Sequence, residues 1–549
     1  LFHLFGYGNL SMDDLKSFRQ LDSKTPGHPE YGHTVGVEAT TGPLGAGMGM
    51  AVGMAMAEAH MASVFNKDGF DVVDHYTFVL GGDGCLMEGI SSEAFSLAGT
   101  LGLSKLIVFY DSNGISIEGS TDIAFTENVV DRMKAFGFQT IEVEDGNDLE
   151  AIGKAIKEAK SDKNRPSFIK INTVIGYGAG KKQGTAGVHG EPLGSEALAT
   201  LKSGFGFNPE ESFKVDADVY ENFNKINEKN AKIEEEWNKL FKDYCDKFPE
   251  MKTLWDEFKD ETKACKLLDD EDFWSYDEKA DATRNLSGKV LNKLSAKLPT
   301  LFGGSADLAP SNKSYVNGAG DYSAENYAGR NVHFGVRELA MTGIGNGLVL
   351  HGLKAYVSTF FVFSDYVKPM ARLASLMEIP LTFILTHDSI GVGEDGPTHE
   401  PVEQEAQIRL MEKLQNHSGA NSLLVLRPSD VEETTVAWRM AMENVHTPSA
   451  LILSRQNIKD LPAPEGKTRA EAAQAAERGG YIVQRDEHPE VILIANGSEV
   501  STLIEGAELL RKEGIQLQIV AVPSEGVFRR QPKAYQDEVL PQGIKRFGL

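Results

Sequence analysis

Short apolar runs alternate with longer amphipathic stretches along most of the chain. The runs in the first third end near Gly, Asp or Asn and are followed by helical patterns, which is typical of βαβ units. Residues Gly45–Phe65 are rich in Ala, Gly and Met and predict a buried helix. The strands predicted in this part are Tyr76–Leu80, Leu106–Tyr110, Ile141–Val143 and Phe168–Asn172.

The pattern changes between residues 209 and 279, where apolar residues recur at helical spacing among many charges. We therefore expect amphipathic helices in a connector. The acidic run Asp269–Asp272 is interpreted as its solvated end, with an acidic binding patch as the alternative. The apolar positions are Val219, Phe223, Ile226, Ile233, Trp237, Leu240 and Phe241.

A second α/β block follows the connector, and a hinge at Leu461–Lys467 leads to a third block with a helix at Glu499–Glu513. The fold class predicted is α/β, with three doubly wound domains in series. The domains are expected at residues 1–208, 280–460 and 468–549, with the connector at 209–279. The strands predicted here are Thr300–Phe302, Ala355–Thr359, Leu381–Thr386, Ser422–Leu426, Ala450–Ser454, Val491–Ala495 and Gln516–Val522.

Composition and charge exclude several classes of partner. The formal net charge of −25 over 549 residues disfavours nucleic acid. The longest uncharged stretch, Ala39–Ala57, contains Pro43 and several glycines and is a poor membrane span. The three cysteines, Cys85, Cys245 and Cys265, have no CxxC spacing, so a disulfide or zinc site is disfavoured and the reducing cytoplasm fits best.

Two polar motifs directly follow neighbouring predicted strands. These are Gly82-Asp83-Gly84 and Asp111-Ser112-Asn113, about one strand–helix–strand unit apart. Oxygen ligands from the Asp83 carboxylate, the Asn113 amide and the Ile115 carbonyl would suit Mg²⁺, and the two glycines would let main-chain N–H groups approach phosphates. The Gly-Asp-Gly tripeptide alone is usually a turn, but the pair of motifs favours a phosphate–metal site.

Glycines at 45, 47 and 49 offer an alternative, since they resemble a dinucleotide fingerprint. That fingerprint follows an apolar strand, whereas Thr-Thr-Gly-Pro-Leu stands here. A dinucleotide site is therefore disfavoured.

With these motifs the chain resembles the transketolase family along its whole length. The resemblance implies a diphosphate-binding, a pyrimidine-binding and a C-terminal domain, and a homodimer with active sites between subunits. It also implies thiamine diphosphate with Mg²⁺, for which Ca²⁺ or Mn²⁺ could substitute. The similar segments are Thr25–Glu30, Thr40–Gly47, Gly81–Gly89, Phe109–Gly119, Val188–Gly194, Gly303–Asn312, Phe334–Ala340, Thr386–Pro401 and Leu453–Asn457.

The activity implied by this resemblance is reversible transfer of a two-carbon ketol unit in the pentose phosphate pathway. The donor would be xylulose 5-phosphate, and the acceptor ribose 5-phosphate or erythrose 4-phosphate. Two alternatives remain open: a ketol transferase similar to dihydroxyacetone synthase, and a non-catalytic, transketolase-derived binding or scaffold protein.

The resemblance also assigns residues. Glu338, expected at a strand end, would hydrogen-bond the aminopyrimidine ring. Phe360, Phe363 and Tyr366 would pack against that ring, although the same spacing fits an ordinary helix-core stripe. Catalytic roles are implied for Glu338, His399, His28 and His387.

The remaining implied ligands fall into three groups. Cofactor contacts are expected from Gly42, Leu44, Gly82, Asp83, Glu88, Asn113, His189, Glu338, Phe360, Phe363 and Tyr366. Substrate contacts are expected from His28, His189, Arg284, Ser311, His387, Asp395, His399 and Arg455. The metal ligands would be Asp83, Asn113 and Ile115.

The resemblance implies a difference at both ends of the chain. Leu1 aligns partway into the first domain, after the place of two further family histidines, and the last domain stops about half-way. We therefore expect the first and last domains to be incomplete.

Overall fold

The structure is a computed structural model that describes residues 1–260, 263–276 and 280–549, with Lys263 and Cys265 described by their backbone alone. The Cys265 thiol and the boundary predicted at Lys279 therefore lie outside the described residues. The chain divides into two compact units. One comprises Leu1–Thr253 and Ser323–Tyr327, and the other Leu254–Tyr322 and Ala328–Leu549.

The first unit is built on a parallel four-stranded sheet in the order β1-β2-β4-β3. All four predicted strands are confirmed, and β1 and β2 extend two residues further than predicted at their carboxyl ends. Gly82 pairs in register with Asp111, so both polar motifs begin at the same sheet edge. The strands are β1 Thr77–Gly82, β2 Leu106–Ser112, β3 Gln139–Val143 and β4 Ser167–Asn172.

Two kinds of helix cover this sheet. The predicted buried helix is confirmed at Ala46–Phe65; Gly45 precedes it with φ +81°, and a Cβ there would lie 2.6 Å from Ile90. The Leu149–Ser161 helix is amphipathic and is capped by Asp148, whose carboxylate accepts bonds from two main-chain N–H groups. Its apolar face packs on isoleucines of β2, β3 and β4.

The predicted connector contains long helices. Ala217–Lys247 is helical, and Tyr244 near its end is fully buried, donating its hydroxyl to the Phe65 carbonyl at 2.6 Å. Trp237 donates to the Val72 carbonyl at 3.0 Å. One aromatic face of this charged helix therefore packs on the rest of the first unit, to which the helix belongs, as its helical spacing predicts.

The larger sheet of the second unit has six parallel strands in the order β9-β10-β8-β7-β5-β6. The five predicted strands are confirmed, and continuous apolar runs explain their burial on both faces. The short strand β6 is not predicted, because Asn-Val-His contains no apolar run. The strands are β5 Leu301–Ser305, β6 Asn331–His333, β7 Lys354–Phe360, β8 Thr382–Thr386, β9 Leu424–Leu426 and β10 Ser449–Leu453.

The second unit also contains a four-stranded sheet in the order β11-β13-β12-β14. Its β11 runs antiparallel to β13, which departs from the doubly wound pattern predicted for the third block. Tyr481 and Val483 are buried on one face of β11 while its other residues are more exposed, and this alternation is typical of an antiparallel strand. The strands are β11 Tyr481–Arg485, β12 Val491–Ala495, β13 Leu517–Ala521 and β14 Lys545–Gly548.

The predicted helix after β12 is confirmed at Glu499–Lys512. Among the described residues, no helix combines the length and apolarity needed to cross a membrane. The other α-helices are Phe2–Phe5, Met12–Lys16, Asp83–Met87, Gly89–Thr100, Val129–Ala135, Ser195–Gly204, Pro249–Lys259, Lys263–Leu267, Thr283–Lys297, Ala309–Asn312, Glu338–Leu350, Ser364–Met377, Gln404–Lys413, Val431–Glu443, Arg469–Ala473, Glu525–Arg529 and Lys533–Val539.

Candidate active site

In the first unit, Asp83 lies at the carboxyl end of β1 and is 4% exposed. Its Oδ1 accepts a hydrogen bond of 2.6 Å from the Tyr110 hydroxyl, and its Oδ2 accepts one of 3.2 Å from the Gly114 N–H. Burial, reinforced by Asp83, raises the pKa of Tyr110, so this hydroxyl stays a donor. Each carboxylate oxygen has a further lone pair, so the oriented carboxylate can still bind a cation.

The turn after β2 brings the other predicted metal ligands to Asp83. Asn113 Oδ1 accepts from the Ile115 N–H at 3.0 Å, and Asn113 Nδ2 donates to Asp111 at 3.3 Å. Gly114, between the two predicted ligands, is the residue that donates to Asp83. The Gly114 bond thus ties this turn to the Asp83 carboxylate. A carboxylate, an amide oxygen and a main-chain carbonyl are a donor set that fits Mg²⁺.

A cavity of about 510 Å³ borders Asp83 and Gly114. Within the described residues, no group of three or more His, Cys, Asp or Glu side chains is arranged to hold a metal ion. A cation at Asp83 would therefore depend on amide and main-chain oxygens and on oxygens of its ligand.

Residues predicted to contact the cofactor approach the Gly82–Gly84 turn from the loop before the Ala46–Phe65 helix. A Cβ on Gly84 would lie 2.9 Å from Leu44 Cδ1, and one on Gly45 would lie 2.9 Å from Glu88 Cβ. Gly42 and Leu44 line a second cavity of about 320 Å³. Gly84 therefore leaves its main chain accessible where a side chain would collide with Leu44.

His28 and His189 lie in exposed loops of the first unit. Among the described residues, neither imidazole makes a hydrogen bond. Their assigned contacts with substrate and cofactor stay predictions.

In the second unit, Phe360, Phe363 and Tyr366 form a row of aromatic rings. Phe360 and Phe363 are stacked with centroids 6.0 Å apart, and Tyr366 lies 6.2 Å beyond. The three residues belong to a strand, a 3-10 turn and a helix, and Tyr366 is 59% exposed. The alternative of a helix-core stripe is therefore wrong, because the helix begins only at Ser364.

Two predicted histidines contact this row. The His387 ring lies 3.7 Å from Phe360, centroid to centroid, and the His399 ring lies 5.6 Å from Phe363 at 75°. His387 directly follows β8 and is 3% exposed. Its φ of +64° is left-handed, a conformation that costs a non-glycine residue on the order of 1–3 kcal/mol.

The hydrogen bonds of His387 define its tautomer. The Thr386 hydroxyl donates to Asn312 Oδ1 at 2.6 Å, so its oxygen accepts from His387 Nδ1 at 2.8 Å. The other ring nitrogen, Nε2, then carries no proton and accepts from Arg284 Nη1 at 3.3 Å. His387 therefore presents a neutral imidazole to a guanidinium.

Positive charge is concentrated around this imidazole. Arg284 also donates to the Ser311 carbonyl at 3.0 Å, and burial followed by the charge of Arg455 lowers the pKa of Arg284. Arg455 pairs with the exposed Glu394 at 2.8 Å. The structure therefore brings together four residues predicted to grip a sugar phosphate, and guanidinium groups suit that ligand.

The pH dependence of stability follows from His387. Burial, then Arg284, Arg455 and His399, lowers its pKa from 6.5 to about 4. The unfolded chain therefore binds the proton more readily between those values, and stability is lost as pH falls through this window. We expect the wild type to lose about 2 kcal/mol more between pH 7 and pH 5 than a His387→Gln variant.

Thermal unfolding of both proteins at the two pH values measures this difference. Contributions of other titrating groups cancel between the two proteins. A decline of equal size in both would contradict a neutral, buried His387.

Glu338 is the first residue of the Glu338–Leu350 helix, five residues after β6 ends, and not at a strand end as predicted. A helix N-terminus favours its carboxylate. Its Oε1 accepts from the Thr359 hydroxyl at 3.3 Å, and Thr359 precedes Phe360 on β7. The predicted acid–base residue and the aromatic row are therefore neighbours.

Asp395 ends the Ile390–Asp395 turn and is exposed, and its substrate contact stays a prediction.

Two residues that orient these carboxylates, Tyr110 and Thr359, are not predicted from the sequence. Both lie near strand ends, where side-chain alternation alone does not identify a partner on another element. Tyr110 could have been suspected as a polar atom at the buried end of an apolar strand, since such groups require a partner.

Family models match three parts of the chain. They describe a transketolase thiamine diphosphate binding domain at residues 1–263, a transketolase pyrimidine binding domain at 279–460, and a transketolase-like C-terminal domain at 479–549. A transketolase of Geobacillus stearothermophilus is 48% identical, with 100% of this chain and 80% of the relative covered. One from Bacillus subtilis is 47% identical at the same coverage.

Solved structures agree. Transketolase from Leishmania mexicana superposes with a TM-score of 0.93 at 43% identity, covering 100% of this chain and 79% of that one. A Pichia stipitis transketolase in complex with sedoheptulose 7-phosphate superposes with a TM-score of 0.90 at 42% identity, and the match covers 100% of this chain and 82% of that one. The fold and these matches define an α/β enzyme of the thiamine-diphosphate-dependent class. More particularly, the chain belongs to the transketolase family.

Proposed function

We propose that the protein transfers a two-carbon ketol unit reversibly from xylulose 5-phosphate to an aldose phosphate, ribose 5-phosphate or erythrose 4-phosphate. The observation that carries this proposal is the convergence of Arg284, Ser311, His387 and Arg455 beside the aromatic row. The Pichia stipitis relative in complex with sedoheptulose 7-phosphate supports sugar phosphates as the substrate class. The pentose phosphate pathway in the cytoplasm is the proposed setting.

We further propose that Asp83, Asn113 and Ile115 would hold Mg²⁺, whose charge would offset that of the cofactor diphosphate. His189, Leu44 and the glycines at 42 and 82 would border that diphosphate. Thiamine diphosphate, when bound, supplies the carbanion chemistry of the reaction. In the first unit the chain itself would bind and orient charged groups. Its side-chain and main-chain oxygens would bind the cation, and its main-chain N–H groups would bind the phosphates.

In the second unit, Glu338 would accept a hydrogen bond from the aminopyrimidine and exchange a proton with it. The aromatic row Phe360, Phe363 and Tyr366 would pack the ring and exclude water. His399 and His28 would move protons at substrate oxygens, while Asp395 would contact a donor hydroxyl. Neutral His387 would orient the substrate next to the two arginines.

A homodimer with active sites between subunits is the proposed assembly, in which Glu88 of one chain would lie near Glu338 of the other. The domain boundaries proposed are 1–208, 280–460 and 468–549, joined by the connector at 209–279.

The phosphate grip predicts a selective loss. In an Arg455→Ala variant, KM for xylulose 5-phosphate and ribose 5-phosphate should rise roughly 10- to 100-fold, since a charged hydrogen bond contributes about 1.5–3 kcal/mol. Hydroxypyruvate, which can donate a two-carbon unit, and the acceptor glycolaldehyde both lack a phosphate. For this pair the KM values of the variant should stay close to those of the wild type. Steady-state kinetics with both substrate pairs makes the comparison.

The matched control is Glu394→Gln, which removes the exposed carboxylate that pairs with Arg455 and should not raise KM for the phosphates. If Arg455→Ala affected both substrate pairs equally, the residue would not serve as a phosphate grip.

A further inference from the structure

Behind His387 lies a buried ion pair. Asp388, the next residue, is 6% exposed, and its Oδ2 accepts from Arg427 Nε at 2.9 Å and pairs with Nη2 at 2.8 Å. Arg427 follows β9 and is 8% exposed. The two-point contact fixes both groups in direction as well as in distance.

The same guanidinium is held by the turn that follows β12. Arg427 Nη1 donates to Asn496 Oδ1 at 2.7 Å and pairs with Glu499 at 2.6 Å. The Gly497 N–H donates to the Arg427 carbonyl at 3.1 Å. A Cβ on Gly497, whose φ is +56°, would lie 2.7 Å from Arg427 Nε, so the turn is shaped around the guanidinium.

A second set of hydrogen bonds joins the loop at 386–389 to a neighbouring element. The Ser389 hydroxyl donates to Asp388 Oδ1 at 3.2 Å, and Gln456 donates to Ser389 at 3.2 Å. Gln456 directly follows Arg455, and a Cβ on Gly391 would lie 2.2 Å from its amide carbon. The backbone on the C-terminal side of His387 is therefore held at two consecutive residues.

We propose that Arg427 is a positioning residue for the ketol-transfer site. By holding Asp388 against the turn at 496–499, it keeps His387 in its left-handed backbone conformation, with the imidazole between Phe360 and Arg284. The smaller sheet of the second unit thereby contributes to substrate binding without touching substrate. This inference rests on the proposed function, since it gives His387 a substrate to orient.

Stability alone does not account for this arrangement. A buried ion pair loses the hydration of both charges, so apolar residues of similar size often serve stability equally well. The contacts of Arg427 with Asp388 and with the turn at 496–499 form a network next to His387. This histidine is the one residue with a positive φ among those predicted to bind the sugar phosphate. Holding a reacting group in place matters strongly for rate, since a displacement of about 1 Å can cost roughly 100-fold.

The chain offers a matched control in Arg469. This arginine has a 10% exposed side chain and pairs with buried Asp430 at 2.6 Å and Glu433 at 3.3 Å. It also donates to the Tyr481 hydroxyl at 2.8 Å. None of these partners belongs to the loop at 386–389. Arg469→Gln should therefore lower the thermal midpoint comparably to Arg427→Gln while leaving kcat/KM within about 3-fold of wild type.

The experiment is a double-mutant cycle on the holoenzyme with xylulose 5-phosphate and ribose 5-phosphate. Arg427→Gln should lower kcat/KM roughly 10- to 100-fold in the wild-type background and less than about 3-fold in a His387→Ala background. Affinity for thiamine diphosphate should stay within about 2-fold, which a general loss of folding would not allow. Asp388→Asn, which keeps the shape, serves if Arg427→Gln does not fold, and should show the same coupling.

Several results would overturn the proposal. One is an equal loss of kcat/KM on Arg427→Gln in the wild-type and His387→Ala backgrounds. Another is a loss of kcat/KM in Arg469→Gln as large as that in Arg427→Gln. The third is an unchanged kcat/KM in His387→Ala when the wild type is active. The titration of His387 by NMR of ¹³C-labelled histidine gives a readout independent of turnover. Its pKa should move from about 4 towards the ordinary value in Arg427→Gln as the ring leaves its buried site.

An inactive wild type would reject the proposed function, and the NMR titration would still decide on positioning. An unchanged titration of His387 in Arg427→Gln would reject the positioning role, whatever the activity of the wild type.

Discussion

Replacing Asp83 by alanine is expected to weaken binding of thiamine diphosphate roughly 100-fold or more, about 3 kcal/mol. The variant removes a proposed metal ligand, and with it the negative charge that would help to hold a divalent cation beside the diphosphate. It also leaves the buried Tyr110 hydroxyl without its acceptor, which costs stability of about 1–3 kcal/mol. Calorimetric titration of the cofactor in the presence of Mg²⁺ measures the affinity, and thermal unfolding measures the second effect separately.

Two further variants separate charge from shape at this site. Asp83→Asn keeps the volume of the side chain and removes its charge, so it should lose nearly as much affinity as the alanine variant. Tyr110→Phe keeps the carboxylate and removes one of its two donors, so a loss of roughly 10-fold is expected. Cofactor affinity equal to wild type in Asp83→Asn would refute the metal assignment.

The second large effect is expected at Glu338. Glu338→Gln should lower kcat roughly 10²- to 10⁴-fold, the usual contribution of a positioned acid–base group. Cofactor affinity should change little, because the amide keeps the size of the side chain and can still accept from Thr359. Single-turnover kinetics with saturating thiamine diphosphate distinguishes this loss of rate from a loss of binding.

Thr359→Val is the control for Glu338. It removes the hydroxyl that donates to Glu338 at 3.3 Å but retains the carboxylate, so a loss of only a few-fold is expected. Turnover within about 3-fold of wild type in Glu338→Gln would show that this carboxylate is not the proton-exchanging group.

The predictable part of the fold is the part that continuous apolar runs specify. Strands such as β8 and β10 are buried along their whole length, and their boundaries are correct within a residue. Strands β6, β11 and β14 are not predicted from the sequence: the apolar part of β11 is only Tyr481–Val483, and the other two strands have no apolar run. Asn-Val-His and Lys-Arg-Phe-Gly contain no apolar run, and pairing with a neighbouring strand supplies the order that their sequences do not encode.

The candidate site divides in the same way. Gly82-Asp83-Gly84 and Asn113 could be predicted to meet, because consecutive parallel strands place their carboxyl ends at one edge. Glu338 could not be placed at its helix terminus, since nothing in Gly-Val-Arg-Glu signals where the helix begins. The pair of Asp388 with Arg427 spans 39 positions, and Arg427 with Asn496 spans 69, so tertiary structure alone creates this network.

Ketol transfer between sugar phosphates is the activity that we propose for this protein. Its most direct measurement is the release of glyceraldehyde 3-phosphate from xylulose 5-phosphate in the presence of ribose 5-phosphate, with and without thiamine diphosphate and Mg²⁺. We predict release that requires both sugars and the cofactor and is lost in Glu338→Gln. No release by a folded protein that binds thiamine diphosphate, or release that is independent of the cofactor, would contradict this account.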